Sequence, residues 1–203
     1  MRKIKPVWKW LFIVLIAAGA MALAFHFDAA VRQWVVEHFN RSARRLMAGV
    51  SRYGDWPEHI LVGLLLAVIS WLRGNRRWVR IALTMILACA IAGIAARGLK
   101  VATGRARPSV KHELGWNGPR WSAKYHSFPS GHTAATTAFF GVLIFANRRV
   151  GLALLPIPFL IAASRIYVAA HYLSDVVGAA IIGFLCAWLC ARACLDSPPA
   201  REK

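Results

Sequence analysis

Six apolar runs spaced along 203 residues leave little freedom in what this chain can fold into. They occupy residues 10–25, 59–72, 81–96, 133–146, 150–163 and 176–191. Each falls short of the ~20 residues that cross a hydrocarbon core, so each must borrow its flanks. The run at 59–72 is the weakest and allows a re-entrant or half-buried helix. A soluble fold has no use for 58% hydrophobic residues arranged this way. A transmembrane barrel would need alternation with a period of two, which is absent. The pattern predicts an all-α polytopic membrane protein, a single domain over 1–203 with six transmembrane helices.

The formal charge of +18 would suggest nucleic acid in a soluble protein. Here the basic residues fall between apolar runs, where they meet anionic headgroups or set topology. No nucleic-acid-reading motif accompanies them, so the partner is the lipid bilayer and not nucleic acid. The basic segment 1–9 precedes the first run, which ends near Ala22-Leu23-Ala24 and so resembles a cleavable signal. We read it as an uncleaved first span with its basic end in the cytoplasm. Over 28–52, Val31, Trp34, Val35, Phe39 and Leu46 recur at helical spacing between Arg32, Glu37, Arg41, Arg44 and Arg45. That predicts a short amphipathic helix on the membrane surface. The basic turns at 73–77 and 147–149 belong on the cytoplasmic side, and the polar tail 196–203 is expected to fray. Cys186, Cys190 and Cys194 share a helical stripe, but no His or carboxylate joins them to make a metal site.

Chemistry concentrates where apolar runs end. Ser164-Arg165 and His171-Tyr172-Leu173-Ser174-Asp175 join the fifth and sixth runs. Charged groups there cost heavily in desolvation unless they act together. On a helix, His171 and Asp175 are one turn apart, so the carboxylate can accept the Nδ1–H and leave Nε2 free. Arg165 offers a forked donor suited to phosphate or carboxylate. Read alone, the stretch serves equally as a buried ion pair locking two helices. Upstream, Lys100 and Arg107-Pro108 place two cations seven residues apart, and Pro129-Ser130-Gly131-His132 opens the fourth run. Ser130 can cap that helix, Gly131 lets the backbone approach a ligand, and the exposed N–H groups favour an anion. His132 can protonate a leaving oxygen. A capped helix with a satisfied His explains that motif alone as well. With six alternating spans, however, every one of these residues falls on the same membrane face. Three cations, a helix N-terminus, two histidines and one carboxylate suit metal-free phosphoryl transfer.

Together, Lys100-x6-Arg107-Pro108, Pro129-Ser130-Gly131-His132 and Ser164-Arg165-x5-His171-x3-Asp175 resemble the three-part signature of the type-2 phosphatidic acid phosphatase superfamily. The similarity covers residues 100–175, with no departure at a signature position. It implies a six-helix lipid phosphatase that needs no metal or cofactor. His171 would attack phosphorus and form a phosphohistidine, oriented by Asp175. His132 would protonate the leaving group and then activate water. Lys100, Arg107, Ser130, the Gly131 amide and Arg165 would hold the phosphoryl oxygens. The signature does not assign Arg105, which this reading leaves facing the headgroups. Trp116, Arg120, Trp121 and Lys124 in the loop 111–124 suit the headgroup layer and favour a membrane lipid phosphate as substrate. Similar family members suggest undecaprenyl diphosphate, phosphatidylglycerophosphate or the 1-phosphate of lipid A, in a bacterial inner membrane with the site facing the periplasm. A transporter could use an Arg–His–Asp network but has no need of Pro-Ser-Gly-His. A non-catalytic lipid binder would be expected to lack a signature residue.

Overall fold

A computed structural model describes residues 6–110 and 115–195. The basic start of the chain (residues 1–5), part of the aromatic loop (111–114) and the polar tail lie outside the described residues. All six apolar runs are helical. Helix α1 spans Pro6–Glu37, α2 Arg41–Arg52, α3 Trp56–Leu72 and α4 Arg76–Thr103. Helix α5 spans Gly131–Ala146, α6 Arg148–Leu154, α7 Pro156–Tyr167 and α8 Leu173–Cys194. Among the described residues there is no β-strand, only an isolated bridge between Arg105 and Trp116.

The helix ends follow from local chemistry. Asn40 Oδ1 accepts from the amides of Ser42 and Ala43 at 2.9 and 3.0 Å and starts α2. Asp55 accepts from Trp56 N at the start of α3, with Pro57 in the first turn. These side chains fill donors that a helix leaves unpaired at its N-terminus. Helix α4 stops at Gly104, which is left-handed at φ 54°. A Cβ there would sit 1.8 Å from the Gly118 carbonyl oxygen, so only glycine fits.

By length and composition, Val7–Glu37, Arg76–Thr103, α6 with α7, and α8 can each cross a membrane. Helices α2 and α3, bent by 51° at their junction, supply a fifth crossing if they act as one span. The remaining apolar helix, α5, has 16 residues. Most of it is buried among the other helices. Its Ala134, Ala138, Phe139 and Val142 pack with Ala88, Ala92 and Ala96 of α4 and Ala179 and Ala187 of α8. Small residues govern these contacts: a Cβ on Gly183 would come within 2.6 Å of the Ala134 carbonyl oxygen. Lipid offers no hydrophobic force between helices, so close backbone approach and packing must hold them.

The surface helix is shorter than its sequence pattern predicts. Nothing breaks the helix between Phe25 and Glu37, so α1 runs on through Asp28 and only Arg41–Arg52 forms the separate amphipathic helix. Helix α1 is otherwise largely exposed, with Ala24, Asp28 and Val35 buried. Two arginines at the start of α4 also have structural work. Arg77 Nη2 donates to the Ala146 carbonyl at 3.1 Å and Arg80 Nη2 to that of Cys194 at 2.6 Å. They close the C-terminal ends of α5 and α8, where cations are favoured.

Candidate active site

The last turn of α4, the loop after it, the start of α5, the end of α7 and the start of α8 meet at one end of the bundle. Lys100 Nζ donates to the His126 carbonyl at 3.0 Å. Arg107 follows the Gly104 turn, its amide bonded to the Lys124 carbonyl at 3.0 Å. Ser130, fully buried, caps α5: its Oγ accepts from Thr133 N at 3.4 Å and from Thr133 Oγ1 at 3.0 Å. Its amide donates to the Asp175 carbonyl at 3.0 Å, joining the start of α5 to the start of α8. Gly131 lies against Lys100, whose Cε would be 3.6 Å from an added Cβ. His132 has Arg165, Asp55, Lys100 and Arg107 as its charged neighbours. Arg165 Nη1 donates to Ser51 Oγ. Thus Lys100, Arg107, Ser130, Gly131, His132, Arg165, His171 and Asp175, scattered over 76 positions of the chain, gather in one place.

The His171 contact differs from the expected one. Its Nδ1 lies 2.8 Å from the Ser127 carbonyl oxygen and 3.6 Å from Asp175 Oδ2. A carbonyl can only accept, so Nδ1 carries the proton and Nε2 presents its lone pair. Asp175 acts at one remove: its Oδ2 accepts from Ser127 Oγ at 2.5 Å and from Tyr172 N at 2.8 Å. The reason is that α8 begins only at Leu173, so His171 lies before the helix and out of the helical i,i+4 register with Asp175, while the Ser127 main chain reaches the imidazole. Burial, opposed by Asp175, pushes the His171 pKa down to about 3. Burial likewise lowers that of Arg107 from the guanidinium value, with Asp175 again opposing.

Arg105 is also placed differently. It is buried, not among headgroups, and donates to Asp175 Oδ1 at 2.5 Å, Ser174 Oγ at 2.6 Å and Asp28 Oδ2 at 2.7 Å. Ser127, Asp28, Ser174 and Arg105 are therefore site residues that the motifs did not mark. One signal was available: Asp28 is a carboxylate just past an apolar run, and such residues are costly unless partnered.

The cations have unused capacity. Among the described residues, the buried Nε atoms of Arg107 and Arg165 have no hydrogen-bond partner. Lys100, Arg107 and Arg165 also lie within one another's electrostatic reach. Among the described residues, no group of three or more His, Cys, Asp or Glu side chains is placed to hold a metal ion.

Known proteins share the fold. The fold superposes on a PAP2-type phosphatidylglycerolphosphate phosphatase from Bacillus subtilis with a TM-score of 0.71, at 22% identity, over 97% of this chain and 99% of that one. It superposes on LpxE from Aquifex aeolicus with a TM-score of 0.63, at 21% identity, over 82% of this chain and 95% of that one. In sequence, a lipid A 1-phosphatase of Rhizobium etli is 35% identical over 94 residues, which are 45% of this chain and 40% of the relative. The match therefore spans well under half of that relative's length. The undecaprenyl-diphosphatase BcrC of Bacillus subtilis is 31% identical over 158 residues, 74% of this chain and 76% of the relative. The family model described as the PAP2 superfamily matches residues 77–197, which hold every motif of the site but not Asp28. On a match across most of the bundle and a relative aligned along three quarters of both chains, this chain belongs to the PAP2 superfamily.

Proposed function

We propose that the chain is a metal-independent membrane lipid phosphatase, hydrolysing a lipid phosphomonoester or diphosphate through a phosphohistidine. One observation carries this reading. Three cations crowd together, and the two buried guanidinium Nε–H groups among them lack protein acceptors. Like charges so arranged are costly until an anion binds, and forked guanidinium donors match phosphate oxygens.

In this mechanism Lys100, Arg107, Arg165, Ser130 and the amide of Gly131 hold the non-bridging oxygens. His171 Nε2 attacks phosphorus, forming an N–P bond as the bond to the leaving oxygen breaks. Protonated His132 gives its proton to that oxygen. Now neutral, His132 takes a proton from water as the water oxygen attacks phosphorus. The N–P bond breaks, inorganic phosphate leaves and His171 is restored. Developing charge on the phosphoryl oxygens meets preorganised donors, the usual source of most of the acceleration.

In the membrane, α3 and the protein-faced α5 serve as spans beside the four long ones, which gives six crossings. All signature residues then share one face, on the periplasmic side of a bacterial inner membrane. There the phosphate of a lipid reaches the site while its chains stay in the bilayer. We rank a polyprenyl diphosphate or a glycerophospholipid phosphate above the 1-phosphate of lipid A. The support is the longer alignment with the undecaprenyl-diphosphatase. Phosphate release from undecaprenyl diphosphate, phosphatidylglycerophosphate and lipid A, side by side in detergent micelles, tests the substrate. A water-soluble phosphomonoester turned over faster than all three would refute the lipid reading.

A further inference from the structure

Arg105 lies between the two cations of the first motif, and its guanidinium is engaged by two carboxylates and a hydroxyl of the protein. Nη1 reaches Asp175 Oδ1 at 2.5 Å and Ser174 Oγ at 2.6 Å, and Nη2 reaches Asp28 Oδ2 at 2.7 Å. Asp28, on α1, also accepts from Ser174 N at 2.8 Å and Ser174 Oγ at 2.6 Å. The rings of Tyr172, Trp116 and Phe25 surround the cation, their centroids 4.4, 5.0 and 5.4 Å from its Cζ. The main chain of Arg105 is engaged as well, its carbonyl accepting from Ser127 N at 3.0 Å. Ser127 is the residue whose own carbonyl holds His171. Arg32 Nη2, one turn beyond Asp28, donates to the Pro108 carbonyl at 3.1 Å, tying α1 to the same loop.

A buried guanidinium between two carboxylates is a poor way to gain stability alone, because desolvation offsets much of the attraction. Its position suits another task. A carboxylate torsion is broad and two-fold, so a buried Asp needs partners on both oxygens to stay fixed. Arg105 holds Oδ1, which leaves Oδ2 for Ser127 Oγ and Tyr172 N. Asp28 in turn supplies a second carboxylate to the cation. Granted the phosphatase reading above, we propose that Arg105 and its counter-charge Asp28 form a positioning assembly for the His171 nucleophile. This makes the largely exposed helix α1 part of the catalytic apparatus, although it lies outside the region matched by the family model.

The test follows phosphoenzyme formation from terminally radiolabelled farnesyl diphosphate in detergent micelles. The proteins are wild type, Arg105→Lys, Asp28→Asn, Asp28→Asn with Arg105→Gln, Arg107→Gln and His171→Ala. Burst amplitude counts folded, competent enzyme, whereas the burst rate constant reports alignment of the nucleophile. Arg105→Lys keeps the charge but loses the fork, and the paired variant keeps the net buried charge while taking the cation from Asp175. We expect both to slow the burst by about 10- to 100-fold with KM within about three-fold of wild type, the pattern of a lost transition-state contribution. Asp28→Asn alone should slow it less, and Arg107→Gln should raise KM. Variants with reduced amplitude but a wild-type rate constant would make the assembly a structural clamp and overturn the proposal. So would unchanged kinetics in Arg105→Lys and Asp28→Asn, which carry the same readout if the paired variant does not fold. A wild type without any burst, or a His171→Ala variant that retains one, would overturn the phosphatase mechanism and not the assembly.

Discussion

His171 Nδ1 lies 2.8 Å from the carbonyl oxygen of Ser127, closer than it lies to any carboxylate in the site. The imidazole tautomer is thus held by main chain, and main chain survives side-chain substitution. Asp175→Asn should therefore keep Nε2 unprotonated and lower kcat by only about 10²-fold, whereas His171→Ala should remove turnover. Ser127→Ala should fall between wild type and Asp175→Asn, because it loosens the carboxylate but keeps the carbonyl. Steady-state kcat for the three variants checks this order. Equal loss in Asp175→Asn and His171→Ala would mean that Asp175 alone sets the tautomer.

The depressed His171 pKa gives a pH prediction for stability. Burial holds it at about 3, against 6.5 when unfolded. Below pH 6.5 the unfolded chain therefore takes up a proton that the folded chain refuses. The stabilisation is present above that value and is lost progressively as pH falls toward 3. In detergent, wild type should lose more melting temperature between pH 7.5 and pH 4.5 than His171→Asn does. Equal losses would show that His171 is not held neutral.

Gly104→Ala tests how firmly the cation loop is set. The left-handed backbone strains any L side chain by about 1–2 kcal/mol. Its Cβ would also strike the Gly118 carbonyl, so the loop carrying Arg105 and Arg107 must shift. Activity should fall by more than the loss of folded protein explains, as read from specific activity against melting temperature.

The donor set is cationic, which predicts that turnover persists in chelator and that vanadate inhibits as a trigonal-bipyramidal mimic of phosphorus. Loss of activity in EDTA with recovery on adding a divalent ion would contradict the site as drawn. Orientation is checked separately. Cysteine at Ser109, in a chain without its native cysteines, should react with an impermeant maleimide from the periplasmic side, and labelling only after lysis would invert the topology.

Much of this was legible because it is local. The apolar runs fix the helices, Ser130 announces its own cap, and three motifs carry the signature residues. What was hidden depends on tertiary approach. No spacing rule links Asp28 to Arg105 across 77 positions, or shows that Ser127, three residues before a recognised cap, would turn its carbonyl to His171. The boundary at 28–52 misled because its apolar spacing is helical throughout, whether on a membrane surface or along α1.

The most direct measurement asks where the phosphoryl group goes. Wild type quenched during turnover of a radiolabelled lipid phosphate should carry label that is lost in acid and stable in alkali, on the peptide containing His171. The label should be absent from His171→Ala and should persist longer in His132→Ala when the leaving group is good. Label that is stable in acid and lost in alkali, or label retained by His171→Ala, would contradict the account.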